Sequence, residues 1–316
     1  MKTELMLGRR LAWAFGLAAA YACLLYLLIW TGVGLIMFIS GLVLMPMAIG
    51  SVFSAGLDPL ARASMGTHLT WNMVAIAVLL VLSIILFQEG GICVVMAAPF
   101  FFASAAAGSA LTRVLLRRQS KYTPPLMIML PLLFLPIEAQ LDMPMREEAV
   151  VSVIEIDATP AEIWAHTVEI PSIASSELKP TFSHVVVGVP RPVDARMEGE
   201  GVGAVRQLAW TQGVRFQEVV TEWEQDRRLA WDFRFGPDSI PDRVEAHIDV
   251  DSRYLKISHG DYVLEPLADG RTRLTLTTHY RMATPINAYC RLWGKVFLND
   301  FHNTVLRVIK DRSERA

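Results

Sequence analysis

Hydrophobic positions follow two regimes along the chain. Up to Gln140 they form long, nearly unbroken runs: about Leu11–Trp30, Val33–Gly56, Trp71–Phe87 and Gly91–Leu116, with a shorter fifth at about Pro124–Ile137. A bilayer-crossing helix needs roughly 20 largely apolar residues, because every backbone group must find its partner within the helix. Four runs reach or approach that length. The fifth contains Pro131 and Pro136 and has two readings: a short span stretching from Tyr122 to Ala139, or a re-entrant or interfacial segment. Beyond Arg146 apolar residues alternate with polar ones. The pattern predicts a transmembrane domain of about five helices (11–30, 33–56, 71–87, 91–116, 124–137) over residues 1–140, followed by a water-soluble domain over 146–316.

Within the soluble half, Val150–Ile156 is β-branched and reads as a strand. Thr159, Pro160 and Glu162 then form the start of a short helix, with Thr159 as N-cap, Pro160 at the first helical position and Glu162 closing a capping box. Strand signals follow at His184–Val189, Val202–Trp210, Val214–Trp223, Arg228–Phe235, Tyr254–Leu267 and Arg271–Met282, several joined by short polar or glycine-containing turns. Leu229, Trp231, Phe233 and Phe235 alternate with Ala230, Asp232 and Arg234, as expected for a sheet with one apolar and one wet face. From Pro285 to about Arg312, a stripe of Ile286, Tyr289, Cys290, Trp293, Phe297, Phe301, Val305 and Val308 recurs every three or four residues, which predicts a long amphipathic helix.

Composition sharpens the division. Only twelve of the 60 charged residues of this 316-residue chain precede Leu141. A net charge of −2 gives no basic excess of the kind nucleic-acid binding needs. Three cysteines cannot build a disulfide framework. Cys23 and Cys93 lie in apolar runs and Cys290 stands alone, so all three are expected to be buried and inert. The triplet Ala20, Tyr21, Ala22 resembles a signal-cleavage site, but further apolar residues follow at once, and a retained first span is expected.

Lys2, Arg9, Arg10, Arg62, Arg113, Arg117, Arg118 and Lys121 all fall on one side of such a bundle, which the positive-inside rule makes cytoplasmic. Five spans put the soluble half outside the cytoplasm, in the periplasm of a bacterial inner membrane; four put it inside. The spans contain almost no ionisable residue, since Asp58, His68 and Glu89 fall in loops or at ends. The small residues of Ala103–Ala110 suit close helix packing. An anchor or small bundle is expected rather than a transporter.

The segments IDATPAEIWAHTVEI, EGVGAVRQLAW, FQEVVTEWEQDRRLAW and YVLEPLADGRTRLTLTTHYRM, followed by the final helix, together resemble the START/polyketide-cyclase-like (SRPBCC) superfamily over about Ala149–Arg315. That resemblance implies a helix-grip α+β fold, in which a curved antiparallel sheet wraps the long C-terminal helix. It also implies a cavity between them for apolar or amphipathic ligands. It implies no universal catalytic residue.

The candidate cavity residues are Trp164, Arg206, Glu218, Trp231, Phe233, Phe235, Tyr280, Tyr289, Trp293 and Phe297. The aromatic ones have two readings, plain core or cavity wall. Glu218, with Glu222 beside it, reads as a base for enolisation if desolvation raises its pKa, or as a sheet carboxylate paired with Arg. The seven histidines show no ligand spacing, so no metal is expected. His302 reads as a packing residue. Gly199–Gly203 precedes a strand rather than a helix, so a turn is expected in place of a nucleotide loop. No GxSxG elbow occurs in the soluble half. The expected function is a membrane-anchored binding module for a lipid or other apolar ligand, with the bilayer and that ligand as partners. No cofactor, catalytic residue or nucleic acid is expected. Two alternatives remain: a cyclase or dehydratase using the same cavity, and an interaction platform.

Overall fold

The computed structural model describes residues 2–31, 38–118, 123–138, 140–245 and 249–315. Residues 33–37 of the second apolar run, together with Lys121, Tyr122 and His247, lie outside them. The chain divides into two compact units, one of Met1–Phe87 with Cys93–Asp142, the other of Gln88–Ile92 with Met143–Ala316.

The first unit contains α1 (Lys2–Thr31), α2 (Met45–Leu57, entered through a π-helical turn Ser40–Leu44), α3 (Met65–Phe87), α4 (Gly91–Arg117) and α5 (Thr123–Glu138). Four stretches are long and apolar enough to cross a membrane: Gly8–Leu27, Ser40–Leu57, Met65–Phe87 and Gly91–Arg117. At 16 residues α5 is shorter, and it keeps both Pro131 and Pro136 inside the helix. Leu17, Leu24, Val81 and Ile85 are exposed on the outer faces, as lipid-facing residues are. Cys23 is exposed among them, contrary to the expected burial, because an apolar run in a bundle turns one side toward lipid.

Where helices meet, small residues let the backbones touch. A Cβ at Gly50 would lie 2.3 Å from the Ala105 carbonyl oxygen, and one at Gly108 would lie 2.0 Å from that of Met47. The interface also buries a polar ladder that hydropathy did not reveal. Asn72 Nδ2 donates to the Ala105 carbonyl at 2.7 Å. One turn away, Ser54 Oγ bonds His68 Nδ1 at 2.5 Å and Ser109 Oγ at 3.0 Å, and Asp58 lies 3.5 Å from His68 Nε2. Arg113 Nε and Nη2 donate to the Ala63 carbonyl and Arg117 Nε to that of Ala61, tying the α2–α3 loop to the C-terminal end of α4. His68 sits at an end, as expected, in the first turn of α3, but it is wholly buried there. At the other end of α5, Glu138 accepts from the Ile39 and Ser40 amides, at 2.5 and 2.8 Å.

The second unit is a seven-stranded antiparallel sheet ordered β1-β7-β6-β5-β4-β3-β2. The strands are β1 (Met145–Ile156), β2 (Pro192–Glu198), β3 (Val205–Trp210), β4 (Arg215–Glu224), β5 (Arg228–Arg234), β6 (Leu255–Pro266) and β7 (Thr272–Ala283). Helices α6 (Pro160–Val168) and α7 (Phe182–Val185) precede β2, and α8 (Asn287–Ser313) closes the chain across β1 and β7. This is the helix-grip arrangement. Ile156, Ile163, Leu229, Leu274, Leu306 and Ile309 exclude water completely at the sheet–helix interface. The capping box forms as expected, with Glu162 Oε2 accepting from the Thr159 amide at 2.7 Å.

Two strand expectations are corrected. His184–Val189 is not a strand. Thr181 caps the short helix α7, and Asp300 of α8 accepts from the Ser183 amide and hydroxyl at 2.9 and 2.6 Å, holding it there. The missing strand is β2, whose alternation is weak because only Ala195 and Met197 join the core side. It is the sheet edge, where Pro192 is tolerated. β3 begins at Val205 rather than Val202, because Gly199, Gly201 and Gly203 take positive φ and make the β2–β3 connection, the expected turn. α8 starts at Asn287, two residues after Pro285, because Asn287 Oδ1 accepts from the Thr284 amide and hydroxyl while Ile286 is non-helical.

Candidate ligand-binding site

The predicted residues divide into three groups. The first is a buried polar floor. β3 and β4 pair Arg206 opposite Glu218, and Arg206 Nε donates to Glu218 Oε2 at 2.6 Å, with Nη2 on the same oxygen. Nη1 donates to the Thr167 carbonyl of α6. The guanidinium carbon lies 4.6 Å from the centre of the Trp231 ring and 5.7 Å from that of Tyr262. Trp231 lies against Gly260 on the neighbouring strand, where a Cβ would come within 2.7 Å of the indole. Burial pushes the Glu218 carboxyl above its usual range, while Arg206 pulls it back. The Trp231 indole N–H is buried and meets no hydrogen-bond acceptor. A carboxylate held by two guanidinium nitrogens has little freedom to act as a base. Glu222 is half-exposed and sits 3.2 Å from Arg228.

The second group is core. Trp164 is buried, meeting Trp223 edge-on at 5.4 Å. Tyr280 is buried in a smaller cluster with Val150 and Met282 and lies against Gly294 of α8. Neither joins the aromatic run described next. His302 is core as well, accepting or donating between Ser152 Oγ at 3.0 Å and Thr278 Oγ1 at 2.8 Å.

The third group is a run of rings, half-buried except for the buried Trp231 and Phe297. From Trp231 it passes to Phe233 (6.2 Å), then to Phe216 (6.2 Å) with Phe235 stacked on it at 5.3 Å, and on to Trp210 (6.1 Å). Trp210 meets Phe301 of α8 edge-on at 5.5 Å, so the run bridges sheet and helix. On the same helix, Trp293 stacks on Phe297 at 5.5 Å and meets Tyr289 at 6.3 Å. The Trp293 indole N–H is buried without an acceptor.

Sequence reasoning missed Trp210, Phe216, Phe301 and His184 in this run. The four-residue spacing of Trp293, Phe297 and Phe301 was a signal for the third. His184 carried none, because its stretch reads as a strand. Its ring stacks on Phe301 at 5.8 Å, and Nδ1 donates to the Val189 carbonyl at 3.0 Å. Burial lowers its pKa, so Nε2 is an acceptor. The nearest hydroxyl, Thr304 Oγ1 at 3.5 Å, donates instead to the Asp300 carbonyl at 2.7 Å. The lone pair of Nε2 is thus left without a strong donor. Among the described residues no three His, Cys, Asp or Glu side chains converge as metal ligands do.

A curved antiparallel sheet holding a C-terminal helix, with aromatic rings between them, defines a helix-grip domain. The family described as "Polyketide cyclase / dehydrase and lipid transport" matches residues 147–311, and the chain belongs to it, within the START/polyketide-cyclase-like superfamily. Among solved structures, the chain is similar to Ara h 8.0201, at 10% identity and TM-score 0.35, covering 54% of this chain and 100% of that one. It is also similar to truncated norcoclaurine synthase from Thalictrum flavum (11% identity, TM-score 0.33, 54% and 96% covered). A third similarity is to the ZhuI aromatase/cyclase from Streptomyces sp. R1128 (15%, 0.34, 54% and 96%). No curated protein matches the chain.

Proposed function

We propose that this protein is a membrane-anchored binding module for a lipid or other apolar ligand, held between the sheet and α8. One observation carries the reading: the half-buried rings Phe233, Phe216, Trp210 and Phe301 form a continuous apolar wall across both elements. Such rings offer large contact area at little entropic cost. The polar floor is already paired within itself, which favours binding over acid–base chemistry. The test is a mass-spectrometric inventory of small molecules that copurify with the intact protein. A ligand enriched over bulk membrane lipid, and lost in Phe301→Ala, supports the reading. A composition equal to bulk lipid in both proteins refutes it.

A cyclase-type reading rests on His184, whose ring lies beside Trp210 and Phe301 and whose Nε2 meets only the Thr304 hydroxyl, at 3.5 Å. It requires turnover that falls with His184→Gln while ligand retention survives.

For topology, the reading is five spans, with α5 crossing. Arg113 and Arg117 fix the basic end of the bundle, where α4 finishes. Glu138 ends α5 against the amides that open the second span, at the opposite end. At 1.5 Å per residue, α5 is about 24 Å long, short of a typical hydrocarbon core but tolerable through local thinning. The soluble unit then lies on the non-basic side, the periplasm of a bacterial inner membrane. Alkaline phosphatase fused after Met143 should be active, whereas fluorescence from a cytoplasm-only reporter there refutes the assignment.

A further inference from the structure

The soluble unit presents an apolar pole to solvent. Phe182, Val185, Val186 and Leu292 are 42, 57, 68 and 59% exposed. They come from two separate elements, and the stacking of Phe182 on Trp293 at 6.5 Å joins α7 to α8. The exposure is built into a fixed turn. Asp300 holds Ser183 by two hydrogen bonds, so α7 buries its polar residues Ser183 and His184 and turns its apolar ones outward. This inverts the arrangement that water favours, and a clustered apolar patch of this kind marks an interaction surface.

The chain itself indicates what covers it. Asn287 Nδ2, at the start of α8, donates to the Pro144 carbonyl at 2.6 Å. The first turns of α8 therefore sit where the chain enters the domain. Only residues 139–144 separate α5 from β1, a tether of at most roughly 25 Å. Leu292 is five residues beyond Asn287, about 7.5 Å along the helix. The pole thus begins close to the point where the short tether enters the domain. Its rim carries exposed Lys179, three residues before Phe182, and Lys295, three after Leu292. Arg291 faces Glu148 at 3.8 Å, so those two charges offset each other.

We propose that this pole inserts Phe182, Val185, Val186 and Leu292 into the interfacial layer of the bilayer that the chain spans, with Lys179 and Lys295 against anionic headgroups. Basic residues are drawn toward an anionic surface. The docking rests on the patch and the tether. Its further consequence, that Trp293 and the aromatic run open toward lipid so that a ligand enters without crossing water, rests on the ligand-binding reading.

The test uses the full chain in discs of equal phosphatidylcholine and phosphatidylglycerol. Spin labels are attached to Val186→Cys, Leu292→Cys and, at the β6–β7 turn, Asp269→Cys, with Cys23, Cys93 and Cys290 replaced by Ala. The expected result is loss of access to a water-soluble nickel complex and gain of access to oxygen at 186 and 292, with 269 unchanged. A water-like label at all three positions overturns the proposal. So does a label shielded from both reagents, which means that protein covers the pole. A second readout keeps the native cysteines: brominated phospholipid should quench a share of tryptophan fluorescence that Trp293→Phe removes, and unchanged quenching counts against insertion. Neither readout depends on a bound ligand, so docking and ligand binding can fail separately.

Discussion

Arg206 binds Glu218 through Nε at 2.6 Å while its guanidinium carbon stands 4.6 Å from the centre of the Trp231 ring. Both charged side chains are almost wholly buried. Removing one partner strands the other in a water-poor interior. Arg206→Met should destabilise the domain by about 3–5 kcal/mol, and the double variant Arg206→Met/Glu218→Leu should recover much of that loss. Urea unfolding of the four proteins of this cycle measures it.

His302 links the pH of the medium to stability. Burial lowers its pKa from 6.5 to about 4, because the imidazole lies between Ser152 and Thr278 with no carboxylate beside it. The folded protein holds the ring neutral, whereas the unfolded chain protonates it near 6.5. Stability from this group is therefore complete above that pH, falls as pH drops from about 6.5 to 4, and is level below. The full loss is about 3 kcal/mol. Burial lowers His166 and His184 also, so the measurement is the difference in pH slope between the native chain and His302→Gln.

Core and binding wall should respond differently to truncation. Trp231 is 2% exposed, and Trp231→Ala should cost about 3–5 kcal/mol. Phe301 and Trp293 are half-buried, so replacing either by Ala should cost less while ligand retention falls. Equal thermal losses for all three, with retention unchanged, would assign the whole run to core.

In the membrane unit, Gly108→Ala puts a methyl group into the Met47 carbonyl, since a Cβ there would lie 2.0 Å from that oxygen. Backbone cannot yield as a side chain tip does. The α2–α4 interface should loosen by about 1–3 kcal/mol, and the Ser54–Ser109 contact should break with it. Thermal unfolding in detergent checks this, with exposed Gly16→Ala, which meets nothing within 4 Å, as the neutral control.

Periodicity alone determined much of this protein. Runs such as Trp71–Phe87 must be helices in lipid, because no other structure satisfies their backbone there. The alternation along β5 and β7, and the stripe on α8, must pair to leave water. Those patterns are local, so they are legible without a structure. Other features depended on partners distant in sequence. The stretch around His184 has a strand's composition, but Asp300, more than a hundred residues later, holds Ser183 in a helical turn. β2 has little apolar signal and exists because β3 offers it an edge. Arg206 and Glu218 were legible as candidates. Their mutual pairing, which removes Glu218 from the role of a free base, followed only from the β3–β4 register. Likewise His68, Ser54 and Asp58 read as scattered polar residues until helix packing brought them together. Hydropathy reports how each residue meets solvent on average. Which buried polar group meets which is decided by the geometry of packing between elements far apart in the chain.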